Sequence, residues 1–207
     1  MKLGGLAFVF LLLISLTVPG CAQPTPIEEV APPETGNSPA PQGTASPEAG
    51  NISFTLTSTA FADGENIPVK YTCKGENRSP ELSWTGIPDG TVSLALTLDD
   101  PDATVGTFTH WVVFNLPKDS TGLPEGVTKD TVLVGGALQG NNGARRLGYI
   151  GPCPPIGDPH HYTFTLYALD TTLALQAGAT KDQVLQAMQG HVLGQARLIG
   201  LYQNKGY

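Results

Sequence analysis

The chain has 207 residues, with 18 acids against 11 Lys and Arg and a formal net charge of −7. That length accommodates one substantial core behind a leader. The acidic balance, with no basic stripe and no interleaving of aromatic and basic residues, argues against a nucleic-acid partner.

The leader comes first. Lys2 supplies a positive end, and Leu3 to Val18 is apolar apart from Ser15 and Thr17. The run is short for a membrane span and suits a secretory signal. It closes on Val18-Pro19-Gly20-Cys21, an aliphatic residue three before a cysteine and a small residue just before it, as in a lipoprotein-processing box. Residues 1–20 therefore read as a lipoprotein signal peptide. Cys21 reads as the lipidated residue that anchors the chain to the cell membrane on its extracytoplasmic side. An uncleaved anchor and a plain cleaved signal are the alternatives. Residues 21–50 read as a disordered linker: residues 22–50 hold seven prolines and four glutamates, no Lys or Arg and no aromatic residue. Such a segment buries too little to offset its ordering entropy.

Residues 51–207 read as one domain, mostly strand. Phe54–Thr57 alternates with period two. Val69–Thr72 and Glu81–Trp84 read as short strands, and Val92–Leu98 as a strong one. His110–Leu116 and Tyr162–Leu169 have the same pattern. Gly140-Asn141-Asn142-Gly143 reads as a surface turn. Thr180 with Gln183 three residues on forms a capping box for a helix whose apolar face is Val184, Leu185 and Met188; Gly190 ends it. A last strand runs from Ala196 to Tyr202. Many short strands with one firm helix give a mainly β domain, an antiparallel β-sandwich with a helix packed at its edge.

Two stretches carry chemistry. Asp99-Asp100-Pro101-Asp102-Ala103 leads to His110-Trp111. Gly151-Pro152-Cys153-Pro154-Pro155 leads through Asp158 to His160-His161-Tyr162. Alone, the first is a common Asp-Pro turn and the second a rigid loop. The pair resembles the two signatures of the phosphatidylethanolamine-binding protein family, also called the Raf kinase inhibitor-like family. Tyr71-Thr72-Cys73, Ser79-Pro80, Leu82-Ser83-Trp84 and Gly178-Ala179-Thr180-Lys181 bring it nearest the bacterial and archaeal branch. Thr104 stands where the family usually has proline. The resemblance implies a large and a small sheet with a C-terminal helix. It also implies a pocket for phosphate-like groups, phospholipid headgroups among them, and a role in binding, signalling modulation or protease inhibition. The matching positions make Asp100, Asp102, His110, Gly151, Pro152, Pro154, His160 and Tyr162 the ligand-binding set. Alternation turns His161 outward.

Imidazole N–H groups, a phenol and the peptide N–H groups of a Gly-rich turn are donors, which favours a small phosphorylated or zwitterionic ligand. No cofactor fingerprint occurs. His110, His160, Asp100 and Asp102 are legitimate metal ligands, but no H-x-x-x-H, H-x-H or C-x-x-C spacing assembles them, so no metal is expected. The rival reading is a hydrolase using His110 and His160 with Asp100 as acid and base; it lacks a placed nucleophile such as G-x-S-x-G. With Cys21 lipidated, Cys73 and Cys153 are an even pair in an oxidising compartment. They are expected to form a disulfide, with two separate buried thiols as the alternative.

Overall fold

Alternation of side chains decides most of the architecture. The structure is a computed structural model and describes residues 53–133 and 135–206. The leader, Cys21 and the linker to residue 50 lie outside the described residues. In chain order the elements are β1 (Thr55–Thr57), β2 (Leu82–Thr85), β3 (Ser93–Asp100), β4 (Phe108–Pro117), β5 (Gly122–Leu123), β6 (Leu138–Gln139), β7 (His160–Leu169), α1 (Lys181–Ala187) and β8 (Val192–Tyr202). They form a five-stranded sheet in the order β6-β4-β3-β7-β8 and a three-stranded sheet in the order β1-β2-β5, with every ladder antiparallel.

β3 lies at the centre of the large sheet and is covered on both faces. Leu94, Leu96 and Leu98 share one core with Trp111, Phe164 and Leu166, and with Leu56, Leu82, Trp84 and Leu123 of the small sheet. Ala95 joins Val112, Phe114 and Leu169 in a second core with Leu173 and with Val184 and Met188 of the helical segment. A strand buried on both sides must be apolar at nearly every position, which is why 94–98 reads as a continuous run with only Thr97 polar. Each fully buried Leu or Phe contributes roughly 1.5–3 kcal/mol. The helix starts where its cap residues place it: Gln183 N–H donates to Thr180 Oγ1, and Thr180 N–H donates to Gln183 Oε1.

Two expectations need correction. Val69–Thr72 is not a strand; Val69–Tyr71 is a 3-10 turn. Tyr71 N–H bonds to the Pro68 carbonyl, and both the N–H and the hydroxyl of Thr72 bond to that of Val69, so the backbone satisfies itself locally. The 140–143 segment is more than a surface turn. Asn142 is buried; its Nδ2 donates to Gly148 O, and its Oδ1 accepts from the N–H groups of Ala144 and Arg146. β5 and β6 have two residues each, too few for periodicity to reveal.

A β-bulge interrupts the ladder between β3 and β4. Leu98 pairs with Trp111 and Asp99 with Thr109, so β4 spends one residue more than β3, and that residue is His110. Bulges of this kind re-aim a side chain beside a site.

Candidate functional site

Three strand ends converge at one rim of the large sheet. β3 ends in Asp100, β4 begins at Phe108 just before His110, and β7 begins at His160. Asp100, His110, His160 and Tyr162 are all buried there. Without the bulge, strict alternation would turn His110 and Trp111 to opposite faces. With it, Trp111 keeps its place in the core between the sheets, while the His110 ring lies edge-on to Tyr162 with centroids 5.2 Å apart. Phe108 closes the other side of the His110 ring at 4.8 Å.

Both imidazoles are tied at the same nitrogen. His110 Nδ1 lies 2.7 Å from the Ile150 carbonyl oxygen, which can only accept, so Nδ1 carries the proton. His160 Nδ1 donates to Asp100 Oδ2 at 2.8 Å. Asp100 Oδ1 accepts from the Asp102 N–H at 2.9 Å, so both Asp100 oxygens are engaged by the protein. Burial holds the His110 pKa below the ordinary imidazole range, against the pull of the Ile150 carbonyl, Asp100, Asp99 and the Gly151 carbonyl. The neutral ring is therefore favoured at His110. Burial, followed by the charge of Asp100, pushes the Tyr162 hydroxyl well above the usual phenol range.

These groups surround a cavity of about 210 Å³, lined by Asp100, Ala103, Thr104, Phe108, His110, Ile150, Gly151, Cys153, Pro154, Pro155 and His160. No Lys or Arg lines it. A larger cleft of about 640 Å³ beside Leu116–Gly135 has only Asp119 as a titratable side chain and no imidazole, so size does not mark the chemistry.

The expected set divides. Asp100, His110, Gly151, Pro154 and His160 line the cavity. Pro152 does not line it; its carbonyl accepts from Cys73 N–H at 3.0 Å. Asp102 does not line it either. Its Oδ2 accepts from both the N–H and the Nδ1 of His161, at 2.7 and 2.8 Å, and these bonds hold its pKa below the usual carboxylate range. That pair lies on the outside, where His161 is exposed. Tyr162 is not among the lining residues; it packs against both histidine rings, and its hydroxyl is buried with no hydrogen-bond partner among the described residues. The Gly151 N–H is also spent, on Asn77 Oδ1 at 2.7 Å. The donor expected from Gly151 is thus engaged, while the Tyr162 hydroxyl stays unpartnered beside the two rings. The Nε2 edges of His110 and His160, with the Thr104 hydroxyl, are what the lining side chains leave for a ligand.

The Gly151–Pro155 rim is fixed from outside. Cys153 is disulfide-bonded to Cys73 across 80 residues of sequence. Tyr149 hydroxyl donates to the Tyr71 carbonyl at 2.7 Å, and Asn204 Nδ2 to that of Pro154 at 3.0 Å. Gly151 is obligatory because a Cβ there would lie 2.4 Å from the Tyr71 carbonyl oxygen. Asn77 holds a positive φ of 54°, a conformation Asn tolerates better than most residues. Sequence reading missed Phe108, Ile150 and Asn77: two contribute plain apolar or backbone surface, and Asn77 is too far along the chain for spacing to reveal. Among the described residues no group of three or more His, Cys, Asp or Glu side chains is placed to hold a metal ion.

The profile of the phosphatidylethanolamine-binding protein family matches residues 57–203. A UPF0098 protein of Methanothermobacter thermautotrophicus is 58% identical over 147 residues, covering 71% of this chain and 97% of its own. A Mycobacterium tuberculosis protein, whose name proposes it as the lipoprotein LppC, is 45% identical over 151 residues, covering 72% of each chain. Among solved structures, YbcL of E. coli, described as a new member of the mammalian phosphatidylethanolamine-binding protein family, superposes with a TM-score of 0.69. It is 36% identical and covers 73% of this chain and 99% of its own.

Proposed function

The chain belongs to the phosphatidylethanolamine-binding protein family, and on that footing we propose that the cavity between Asp100, His110 and His160 binds a small phosphorylated ligand, such as a phospholipid headgroup or free phosphate. The observation that supports it best is the pair of imidazoles tied at Nδ1 on one small cavity, each leaving Nε2 for a ligand atom. Asp100 orients the His160 ring through its hydrogen bond to Nδ1. Binding is weak, because so small a ligand makes few contacts. Turnover is the poorer reading. Thr104 supplies the one free hydroxyl of the lining and bonds to neither imidazole, and Cys153 is locked in a disulfide.

The same reading places the domain outside the cytoplasm, held at the membrane through Cys21. It rests on the Leu3–Val18 run, the box ending in Cys21 and the lipoprotein name of the mycobacterial relative. Titration with inorganic phosphate or phosphoethanolamine, followed by NMR, tests the pocket. The His110 and His160 ring signals should shift together, with His161 little affected. His160→Gln, which keeps an amide donor for Asp100, should lose binding while staying folded. Shifts confined to His161 and Asp102 would move the site to the outer face and reject this reading.

A further inference from the structure

We propose that the rim of this cavity is a membrane-docking surface: Val105 and Ile156 enter the interface of a zwitterionic phospholipid bilayer while a headgroup of the same leaflet occupies the cavity. The inference rests on the headgroup reading above and adds the surface from which the ligand is taken.

Val105 is 88% exposed and Ile156 73%, and no other large apolar side chain among the described residues exceeds 55%. Both adjoin the cavity wall directly. Val105 follows Thr104, Ile156 follows Pro155, and Thr104 and Pro155 are lining residues. Val105 occupies the tip of a tight turn that the Gly106 N–H closes on the Ala103 carbonyl at 3.0 Å. Turn tips favour Gly, Asn, Asp and Ser, so a β-branched apolar residue there gains nothing from the turn itself. Ile156 is held out by its backbone, which bridges to Asn204. Asn204 Nδ2 donates to the Pro154 carbonyl at 3.0 Å and Gln203 Nε2 to that of Gly157 at 2.8 Å, so the strap carrying Ile156 is fixed on both sides of it. Pro101, Pro155 and Pro159 are exposed on the same loops. They add apolar surface and have no N–H to desolvate at a bilayer.

Charge selects the kind of lipid. The exposed acids Asp102 and Asp158 stand on the two loops of the rim, and the exposed Lys74 and Lys205 line the neighbouring cleft with Pro159. Both signs are present, with none of the basic clustering that an anionic membrane would attract. A zwitterionic surface answers both. The tether permits the orientation. Phe54 packs beside Gly194, the partner of Ala168, so the chain enters the domain roughly 26 Å along β7 from His160 and the cavity. Residues 22–53 reach up to roughly 110 Å when fully extended, so an anchor at Cys21 does not hold the rim away from the bilayer.

The test uses residues 49–207 without the lipid, so that anchoring does not mask docking. They form a compact unit, and the Methanothermobacter relative is matched by this domain over 97% of its own length. Vesicles of phosphatidylethanolamine and phosphatidylcholine are the probe. Val105→Trp should shift its fluorescence to the blue on these vesicles and be quenched by lipids brominated in the acyl chains. The two native tryptophans, Trp84 and Trp111, are buried and contribute no such change. Val105→Ser combined with Ile156→Ser should lower vesicle partitioning at least about tenfold, since the apolar contact is lost. Binding of free phosphoethanolamine, read from the His110 and His160 ring signals, should stay unchanged in that variant. Salt should alter partitioning little. If free phosphoethanolamine binds while vesicles do not, or partitioning ignores the double substitution, the docking is overturned, the rim is left to a protein partner and the headgroup pocket stands. Partitioning that requires anionic lipid and disappears in salt is charge adsorption and overturns the docking equally. Failure of free phosphoethanolamine to bind overturns the headgroup reading and the docking built on it.

Discussion

At the scale of single residues, His110 is the most informative. Its pKa is lowered on folding, so below the ordinary imidazole value of about 6.5 the unfolded chain binds a proton that the folded chain refuses. The folded state is therefore fully favoured above that pH and loses stability as pH falls from about 6.5 towards the depressed value. Thermal unfolding in phosphate-free buffer should show the melting temperature falling between pH 7 and pH 5, and His110→Gln should flatten that part of the curve. An unchanged slope would show that another group carries it. Asp102 acts in a lower window, because its lowered pKa gives stability that disappears only below about pH 4. A second residue, Gln139, is fully buried on β6. It accepts from Trp111 Nε1 at 2.9 Å and donates to the carbonyls of Thr128 and Asp130 at 2.8 and 2.7 Å. Gln139→Leu should cost about 3 kcal/mol in denaturant unfolding, since it strands several buried polar groups at once. Neither role is visible in sequence. A lone Gln carries no motif, and the bulge that re-aims His110 depends on pairing with β3.

At the scale of elements, the long strands, the short strands β1 and β2 and the helix were legible, while the two-residue strands β5 and β6 and the 3-10 turn at 69–71 were not. Tyr162–Leu169 and Val92–Leu98 announce themselves by alternation or by an unbroken apolar run, and both are strands in the structure. Val69–Thr72 misleads, because two β-branched residues and a Tyr imitate a strand while Pro68 and Thr72 close a local turn. The acids and imidazoles of the site were readable as residue types at strand ends. Their division into a cavity wall (Asp100 with His160) and an outer pair (Asp102 with His161) depends on a strand reaching back to His160, two residues earlier than its pattern suggests. The Gly151–Pro155 rim has no ladder of its own and relies on the disulfide with Cys73. Replacing both cysteines by Ser should cost about 4 kcal/mol in the chain-entropy account of an 80-residue loop. Phosphate affinity should fall with it, since Cys153 lies in the cavity wall. Equal affinity in the reduced and oxidised proteins would show that Asn77, Tyr149 and Asn204 hold the rim unaided.

At the scale of the whole molecule, two sheets share one core while the pocket sits at their rim, so ligand and fold are linked by mass action. Phosphate at tenfold its dissociation constant should raise global stability by about 1.4 kcal/mol. On the proposed lipoprotein reading, the chain as a whole also carries an address. An apolar run from Leu3 to Val18 that ends in Gly20-Cys21 is chemistry for a lipid-modifying enzyme only if the thiol is free for thioether formation. The pairing of Cys73 with Cys153 leaves Cys21 as the one cysteine outside the disulfide. Cells fed labelled fatty acid should therefore label the full chain, and Cys21→Ser should abolish the label and leave the Cys73–Cys153 bond intact. If the Cys21→Ser chain stays in the membrane fraction at unprocessed length and the original chain takes up no label, the leader is a simple anchor and the lipid reading fails. If both forms are recovered in the medium at equal processed length, it is an ordinary cleaved signal.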